Sequence, residues 1–196
     1  MISLIAIAAV GCHPDSKTES RQQDGSDNTM KAQIDRIETW LNSNAPDLAL
    51  LFNPPVTIDD ITAFEQKHKL TFPPDLRQLY LIHNGEKQES DGIFGCWKLL
   101  PLAKVEEEIE LMEHVGKIPF LLSKGGDSYY LKSFDEENPD LKIYECWHEQ
   151  PDNETVTANS LIDFLNEFNE KLSNGQFVRD PDYENPLKAL VDKDDL

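Results

Sequence analysis

The 196-residue sequence has little of what marks the specialised protein classes: three cysteines, nine glycines and no apolar stretch longer than the N-terminal Ile2–Val10. Three cysteines are too few for a disulfide-stapled mini-protein, and nine glycines exclude the repeat of collagen. A membrane-spanning helix needs about 20 mostly apolar residues, so a protein with several spans is also excluded. What is left is one folded domain of ordinary composition, since about 150 residues can bury a core without cross-links.

Basic residues are scarce relative to acidic ones. Eighteen Lys and Arg stand against 37 Asp and Glu, the formal net charge is −19, and most of the excess lies between residues 34 and 178. Such a surface repels phosphate backbones, so we expect no direct nucleic-acid binding. It would attract a basic protein partner and accelerate the encounter. The alternative is an acidic surface that serves solubility alone.

The N-terminus has the pattern of an export signal. Ile2–Val10 has the length of a signal-peptide core and ends in Ala9-Val10-Gly11-Cys12. Small residues before a cysteine resemble the lipobox of bacterial lipoproteins, in which that cysteine is acylated. The resemblance predicts a signal-like segment at residues 1–12 and membrane attachment through a lipidated Cys12. The polar composition that follows cannot bury itself in a core and predicts a flexible linker at residues 13–30. The protein would then face the periplasm or the cell exterior; the alternative is a cytoplasmic protein.

Helical periodicity is clear at five places, and several segments carry start or stop signals. Thr57 is a good N-cap with Asp60 three residues later, and Ser160 is a second N-cap. The helix after Thr57 should place Ile58 inward, and Asn84-Gly85 predicts a left-handed helix end. The predicted helices are Lys31–Ser43, Ile58–Lys69, Pro74–Asn84, Ala103–His114 and Leu161–Leu172.

After the third helix, on both sides of the fourth, the apolar period shortens towards two, which indicates strands. The strand candidates are Ile93–Leu100, Ile118–Leu122, Tyr129–Phe134, Leu141–Glu149 and Thr155–Ala158. Lys124–Asp127 contains two glycines and predicts a hairpin turn. The sequence therefore predicts a single α+β domain at residues 31–178, a mostly antiparallel sheet flanked by helices. Residues 179–196 read as an acidic tail with one short helix near Leu187–Val191.

The order of these signals resembles the SUKH superfamily, which includes the Smi/Knr cell-wall-assembly regulators of fungi and many bacterial immunity proteins. Four stretches carry the resemblance, and together they cover Ile34–Phe177. They are Ile61–Leu70 with Phe72–Leu76 and Asn84-Gly85; Ile93–Gly95 with Leu100–Leu102; Ile118–Phe120 with Gly125–Tyr130; and Thr157–Ser160 opening Leu161–Leu172.

The resemblance implies a protein-binding module without catalytic activity or cofactor. Bacterial members look like antidotes that neutralise a polymorphic or contact-dependent toxin, and such a toxin could be basic. Fungal members look like scaffolds for cell-wall assembly, so a lipid-anchored envelope scaffold is the alternative.

Amphipathic aromatic residues and one acidic helix are the candidates for contact with a partner. The aromatic candidates are Trp97, Tyr129, Tyr130 and Trp147, and the acidic ones are Glu106, Glu107 and Glu110. Because side chains alternate along a strand, about half of the aromatic residues should face the core instead.

A catalytic alternative rests on Cys146 and His148, which would share one face of a strand as a thiol and an imidazole do in cysteine hydrolases. A buried structural cysteine is the competing interpretation. Cys96 and Cys146 could form a disulfide after export or stay reduced in the core. No cysteine or histidine spacing matches a zinc site, so we expect no metal.

Overall fold

The computed structural model describes residues 29–112, 116–179 and 189–195. In the described part of the chain, four helices come first. An antiparallel sheet follows, with a fifth helix after its first strand, and a sixth helix and a short strand pair come last. The helices are α1 (Met30–Asn44), α2 (Pro46–Ala49), α3 (Ile58–His68), α4 (Pro74–Tyr80), α5 (Leu102–Met112) and α6 (Leu161–Ser173), with a 3₁₀ turn at Lys193–Asp195. The strands are β1 (Trp97–Leu99), β2 (Lys117–Ser123), β3 (Ser128–Lys132), β4 (Ile143–Trp147), β5 (Gln150–Ala158), β6 (Phe177–Val178) and β7 (Val191–Asp192). This is the predicted α+β arrangement.

The predicted signal-like segment at residues 1–12, with Cys12, and nearly all of the predicted linker lie outside the described residues. So does His114, at the end of the predicted fourth helix. Among the described residues, no helix has both the length and the apolar character needed to cross a membrane.

The sheet is an antiparallel meander in the order β1-β2-β3-β4-β5. The predicted turn at Lys124–Asp127 joins β2 to β3. A bulge between Pro119 and Leu121 shifts the register of β2 against β3. β5 forms one edge of the sheet and is longer than the predicted Thr155–Ala158.

The two faces of the sheet have different surroundings. One face packs against the helices and belongs to the main core, to which it contributes Ile118, Leu121, Leu131 and Ile143. The opposite face carries a separate small cluster of Tyr130, Tyr144 and Cys146. Neighbouring residues of one strand therefore lie in different environments.

The predicted helix starts at Thr57 and Ser160 are confirmed. Thr57 Oγ1 accepts a hydrogen bond from the Asp60 backbone N–H at 3.2 Å, and the Asp60 carboxylate accepts one from the Thr57 N–H at 2.9 Å. Ser160 Oγ accepts from the Asp163 N–H at 3.0 Å. Ile58, however, is 47% exposed, so its predicted inward position is wrong. It occupies the first position of α3, one turn before the helix meets the core at Ile61.

The predicted helix end at Asn84-Gly85 is also wrong, because α4 already ends at Tyr80. Tyr80 is fully buried and its hydroxyl donates to the Leu100 carbonyl at 2.7 Å. Gly85 does have the expected left-handed backbone, with φ of +69°. There it allows close approach to the backbone of Leu100 and Pro101 rather than ending a helix.

Glu86 is a buried carboxylate that organises the loop between α4 and β1. It accepts hydrogen bonds from the backbone N–H groups of Leu99 at 2.8 Å and Ile93 at 3.2 Å, and from the Ser90 hydroxyl. These bonds fold the first half of the predicted strand Ile93–Leu100 into a turn, which leaves only β1 as regular strand.

The sequence predicts that the domain ends at residue 178, but residues 189–191 of the C-terminal segment also contribute to the core. β6 and β7 pair antiparallel, and the neighbouring Ala189 and Leu190 are fully buried. The Leu190 carbonyl accepts a hydrogen bond from the Cys96 backbone N–H at 2.9 Å. Val191 lies in a strand, so the short helix predicted near Leu187–Val191 is wrong at this residue.

Candidate partner-binding surface

Two of the predicted binding residues, Trp97 and Tyr129, meet on the helix-facing side of the sheet. Their rings are stacked, with centroids 4.0 Å apart and 13° between the planes. Trp97 belongs to β1 and Tyr129 to β3, and β2 lies between these strands. Both side chains are half-buried, so each keeps a surface that a partner can reach.

The stacked pair lines a cleft between the sheet, α6 and the β6–β7 pair. Phe164 of α6 lies edge-on to Tyr129, with ring centroids 5.9 Å apart. The other lining residues are Phe94, Thr157, Glu167, Phe168, Lys171, Phe177 and Asp192. The cleft has a volume of about 190 Å³, whereas small-molecule sites usually measure about 300–1,000 Å³. It fits one side chain of a partner better than a cofactor.

Acidic groups outnumber basic ones around the cleft. Glu167 and Asp192 line it together with Lys171, which forms an ion pair with Glu167 at 3.0 Å. Glu145 on β4 is directly opposite Tyr129 on β3, so both side chains lie on one face of the sheet. Burial raises the pKa of Glu145. Among the described residues, no lysine, arginine or histidine forms an ion pair with Glu145 or Asp192.

The other two aromatic candidates lie outside this cleft. Tyr130 follows Tyr129 in β3, so it faces the opposite side of the sheet, where it is 2% exposed and stacks on Tyr144 with centroids 5.4 Å apart. Lys117 Nζ lies 4.8 Å from the Tyr130 ring centroid. A partner cannot reach the Tyr130 side chain, so the prediction that Tyr130 contacts a partner is wrong. Trp147, at the end of β4, is 55% exposed.

The three acidic candidates lie on α5. Glu106 accepts a hydrogen bond from Lys67, which lowers the pKa of that carboxyl, and Glu107 accepts one from Lys104. Glu110 is exposed. Two of the three charges are therefore compensated within the protein, and the field of this helix is weaker than its sequence indicates.

Cys146 and His148 have different surroundings. Cys146 is 2% exposed beside Tyr130 and Tyr144, whereas His148 lies beyond the end of β4 and is exposed. His148 Nδ1 is 2.9 Å from Asp127 Oδ1.

Cys96 is half-buried in the turn before β1 and Cys146 is buried on β4, and the structure contains no disulfide between them; whether they pair after export stays a prediction. Within the described ranges, no group of three His, Cys, Asp or Glu side chains could hold a metal ion.

The stretch from the loop before α3 to the middle of α6, residues 55–167, matches the model of the SMI1/KNR4 family (SUKH-1). The chain belongs to this family. The match includes Trp97, Tyr129 and Glu167 but ends before the β6–β7 pair that closes the cleft.

Three curated relatives are similar over parts of their length. The uncharacterized protein YobM of Bacillus subtilis is 37% identical over 71 residues, which are 32% of this chain and 38% of YobM. The cell wall assembly regulator SMI1 of Saccharomyces cerevisiae is 27% identical over 108 residues, 53% of this chain and 21% of that protein. The cell wall biosynthesis/cell cycle regulator smi1 of Schizosaccharomyces pombe is 30% identical over 84 residues, which are 42% of this chain and 17% of that protein. Each match therefore spans well under half of the relative.

Sequence reasoning named the stacked pair of this SMI1/KNR4-family protein as binding candidates but none of the other residues that line the cleft, nor the neighbouring Glu145. Phe164 gave a usable signal, because this large aromatic residue lies one position before the buried Leu165 and so at the margin of the face of α6 that packs into the core. Glu145 and Asp192 gave no such sequence signal, because their positions beside the cleft depend on strand pairing that the local sequence does not encode.

Proposed function

We propose that this SMI1/KNR4-family protein is a non-catalytic protein-binding module that neutralises a toxin, as bacterial immunity proteins do. The observation that carries the proposal is the cleft with the stacked Trp97 and Tyr129 at its side and carboxylates around it. Trp and Tyr are the residues that most often anchor interfaces, and a net charge of −19 favours a basic partner.

The test uses the genes that flank the gene for this protein. Each flanking product is expressed in a susceptible host with and without the full chain, and surviving colonies are counted. We expect one product to kill the host and the full chain to restore growth. If none is toxic, or if killing persists with the full chain present, the immunity proposal is wrong.

Two variants locate the binding surface in the same assay. Trp97→Ala should weaken protection, while Trp147→Ala removes an exposed indole outside the cleft and should leave protection intact. Thermal unfolding of both purified variants shows whether each is folded. Full protection by a folded Trp97→Ala protein would move the interface away from the cleft.

The second candidate function is a scaffold in cell-wall assembly, attached to the envelope through Cys12. It is supported by the two yeast relatives, whose names describe cell-wall regulators, and by the lipobox-like sequence. Labelling cells with a radioactive fatty acid should mark the wild-type chain and not Cys12→Ser. Equal labelling of both, or of neither, would contradict the anchor.

A cysteine-dependent hydrolase is the minor alternative. It requires the Cys146 thiol to reach a substrate, and burial of that side chain argues against it. Cys146→Ala should keep full protection in the survival assay, and a complete loss in a folded variant would favour the hydrolase.

A further inference from the structure

Unbalanced negative charge lies next to the stacked aromatic pair. Glu145 lies directly opposite Tyr129 on the neighbouring strand, beside the cleft, and Glu167 lines the cleft from α6. Both carboxylates add to the effect of burial in raising the pKa of the Tyr129 hydroxyl. Lys171 compensates Glu167. No described cation compensates Glu145, although this carboxylate is half-buried and so only partly hydrated.

The aromatic wall of the cleft is suited to a cation. The faces of indole and phenol rings carry negative electrostatic potential, and Trp is the strongest cation acceptor of the three aromatic residues. Trp97 is half-buried, so a cation on it would be partly desolvated, where such contacts are stronger. An apolar side chain would fit the aromatic wall but would leave Glu145 without a counter-charge.

The dimensions of the cleft favour a single long side chain. About 190 Å³ is too small for a drug-sized ligand, while the aromatic lining can cover the aliphatic stem of a basic residue. Arginine suits this combination better than lysine, because its planar guanidinium stacks on aromatic rings and can bond a carboxylate with two N–H groups at once.

We propose that the cleft binds an arginine side chain of the protein partner, with the guanidinium on the Trp97–Tyr129 pair and its charge balanced by Glu145. This inference rests on the proposed protein-binding function and specifies which partner residue enters the cleft. The charge complementarity at Glu145 is what selects this occupant over an apolar one.

The test is an NMR titration of the full chain with Nα-acetyl-arginine amide, read on indole N–H signals. The chain has three tryptophans, so Trp40 and Trp147 serve as internal controls for Trp97. We expect a saturable shift at Trp97 alone, with the lysine counterpart weaker and the uncharged citrulline counterpart without effect. An equal response to citrulline, an equal response to lysine, or shifts confined to Trp40 and Trp147 would overturn the proposal.

Two glutamine variants test the counter-charge. Glu145→Gln should weaken arginine binding about tenfold, the effect of losing one charge-assisted contact. Glu136→Gln makes the same chemical change in the exposed loop after β3, outside the cleft, and should leave binding unchanged. Both side chains reach solvent, so both variants should fold, which their thermal unfolding will confirm. Equal binding by the two variants would overturn the role of Glu145.

The two proposals can fail separately. If the wild-type chain protects against the toxin but Glu145→Gln and Trp97→Ala protect equally well, the arginine site is wrong and the binding function stands. If the wild-type chain gives no protection, the immunity function fails whatever the titration shows.

Discussion

At the scale of single residues, Gly85 shows that the sequence can predict a backbone conformation without showing which contact requires it. Asn-Gly predicts a left-handed residue, and Gly85 has φ of +69°. Its purpose depends on a contact with Pro101, 16 residues away in sequence. A Cβ atom at this position would lie 2.3 Å from the Pro101 nitrogen.

Gly85→Ala should lower the free energy of unfolding by at least about 2 kcal/mol, because backbone strain and a backbone clash add together. Gly116→Ala is the matched control, since Gly116 has φ of +79° but, chain neighbours aside, no atom of the described residues lies within 4 Å of the Cβ position. The control should lose about 1 kcal/mol from strain alone. Urea unfolding measures both, and equal losses would show that the contact with Pro101 does not matter.

Glu86 gives stability a pH dependence with a definite sign. Burial raises its pKa from 4.5 to about 7, against the opposing effect of the hydrogen bonds it accepts. Because the pKa is higher in the folded state, the folded protein holds a proton between pH 4.5 and about 7 that the unfolded chain has lost. This group therefore favours folding most at low pH, and its contribution declines as the pH rises through that window.

Glu86→Gln should remove this dependence while keeping an acceptor for the Leu99 and Ile93 N–H groups. Relative to the variant, the wild-type protein should lose up to about 3 kcal/mol of unfolding free energy from pH 5 to pH 8. Urea unfolding at several pH values provides the curve. The comparison with Glu86→Gln separates this carboxyl from the other acidic groups, and parallel curves for the two proteins would contradict the assignment.

At the scale of elements, local signals located most helices and strands to within a few residues. Thr57 and Ser160 begin α3 and α6 as predicted, because a capping bond joins residues three apart and needs no tertiary partner. The strand predicted at Ile93–Leu100 failed for the opposite reason. A hydrogen bond from the Ile93 N–H to the Glu86 side chain holds its first half in a turn. Because Glu86 lies outside the predicted strand, the pattern of that strand does not indicate this bond.

The β6–β7 pair extends the domain by a segment whose sequence looks like an acidic tail. Leu190 is fully buried there and should contribute like a core residue. Leu190→Ala should lower the free energy of unfolding by about 2–5 kcal/mol, whereas Leu50→Ala, at a site 70% exposed, should change it by less than about 0.5 kcal/mol. Chemical unfolding tests the difference, and similar small effects would mean that the segment is not part of the core.

At the scale of the whole molecule, the net charge of −19 produces self-repulsion that favours expanded states. Raising NaCl from about 10 mM to about 200 mM shortens the screening length from about 30 Å to below about 10 Å. We expect the thermal unfolding midpoint to rise over this range. A lower midpoint at high salt would mean that screened ion pairs, such as Lys117–Glu154, outweigh the repulsion; sucrose at matched osmolality controls for solute effects other than screening.

The sequence by itself determined the α+β class, the approximate element order and the resemblance that the SMI1/KNR4 match bears out, because periodicity and capping act over a few residues. Only the tertiary structure decided that Tyr129 lines a cleft while Tyr130 is buried on the opposite face. Alternation along a strand tells which side chains point apart, but not which side another element covers. The partnership of Trp97, Tyr129 and Glu145 likewise depends on the register of four strands, which is set by the fold as a whole.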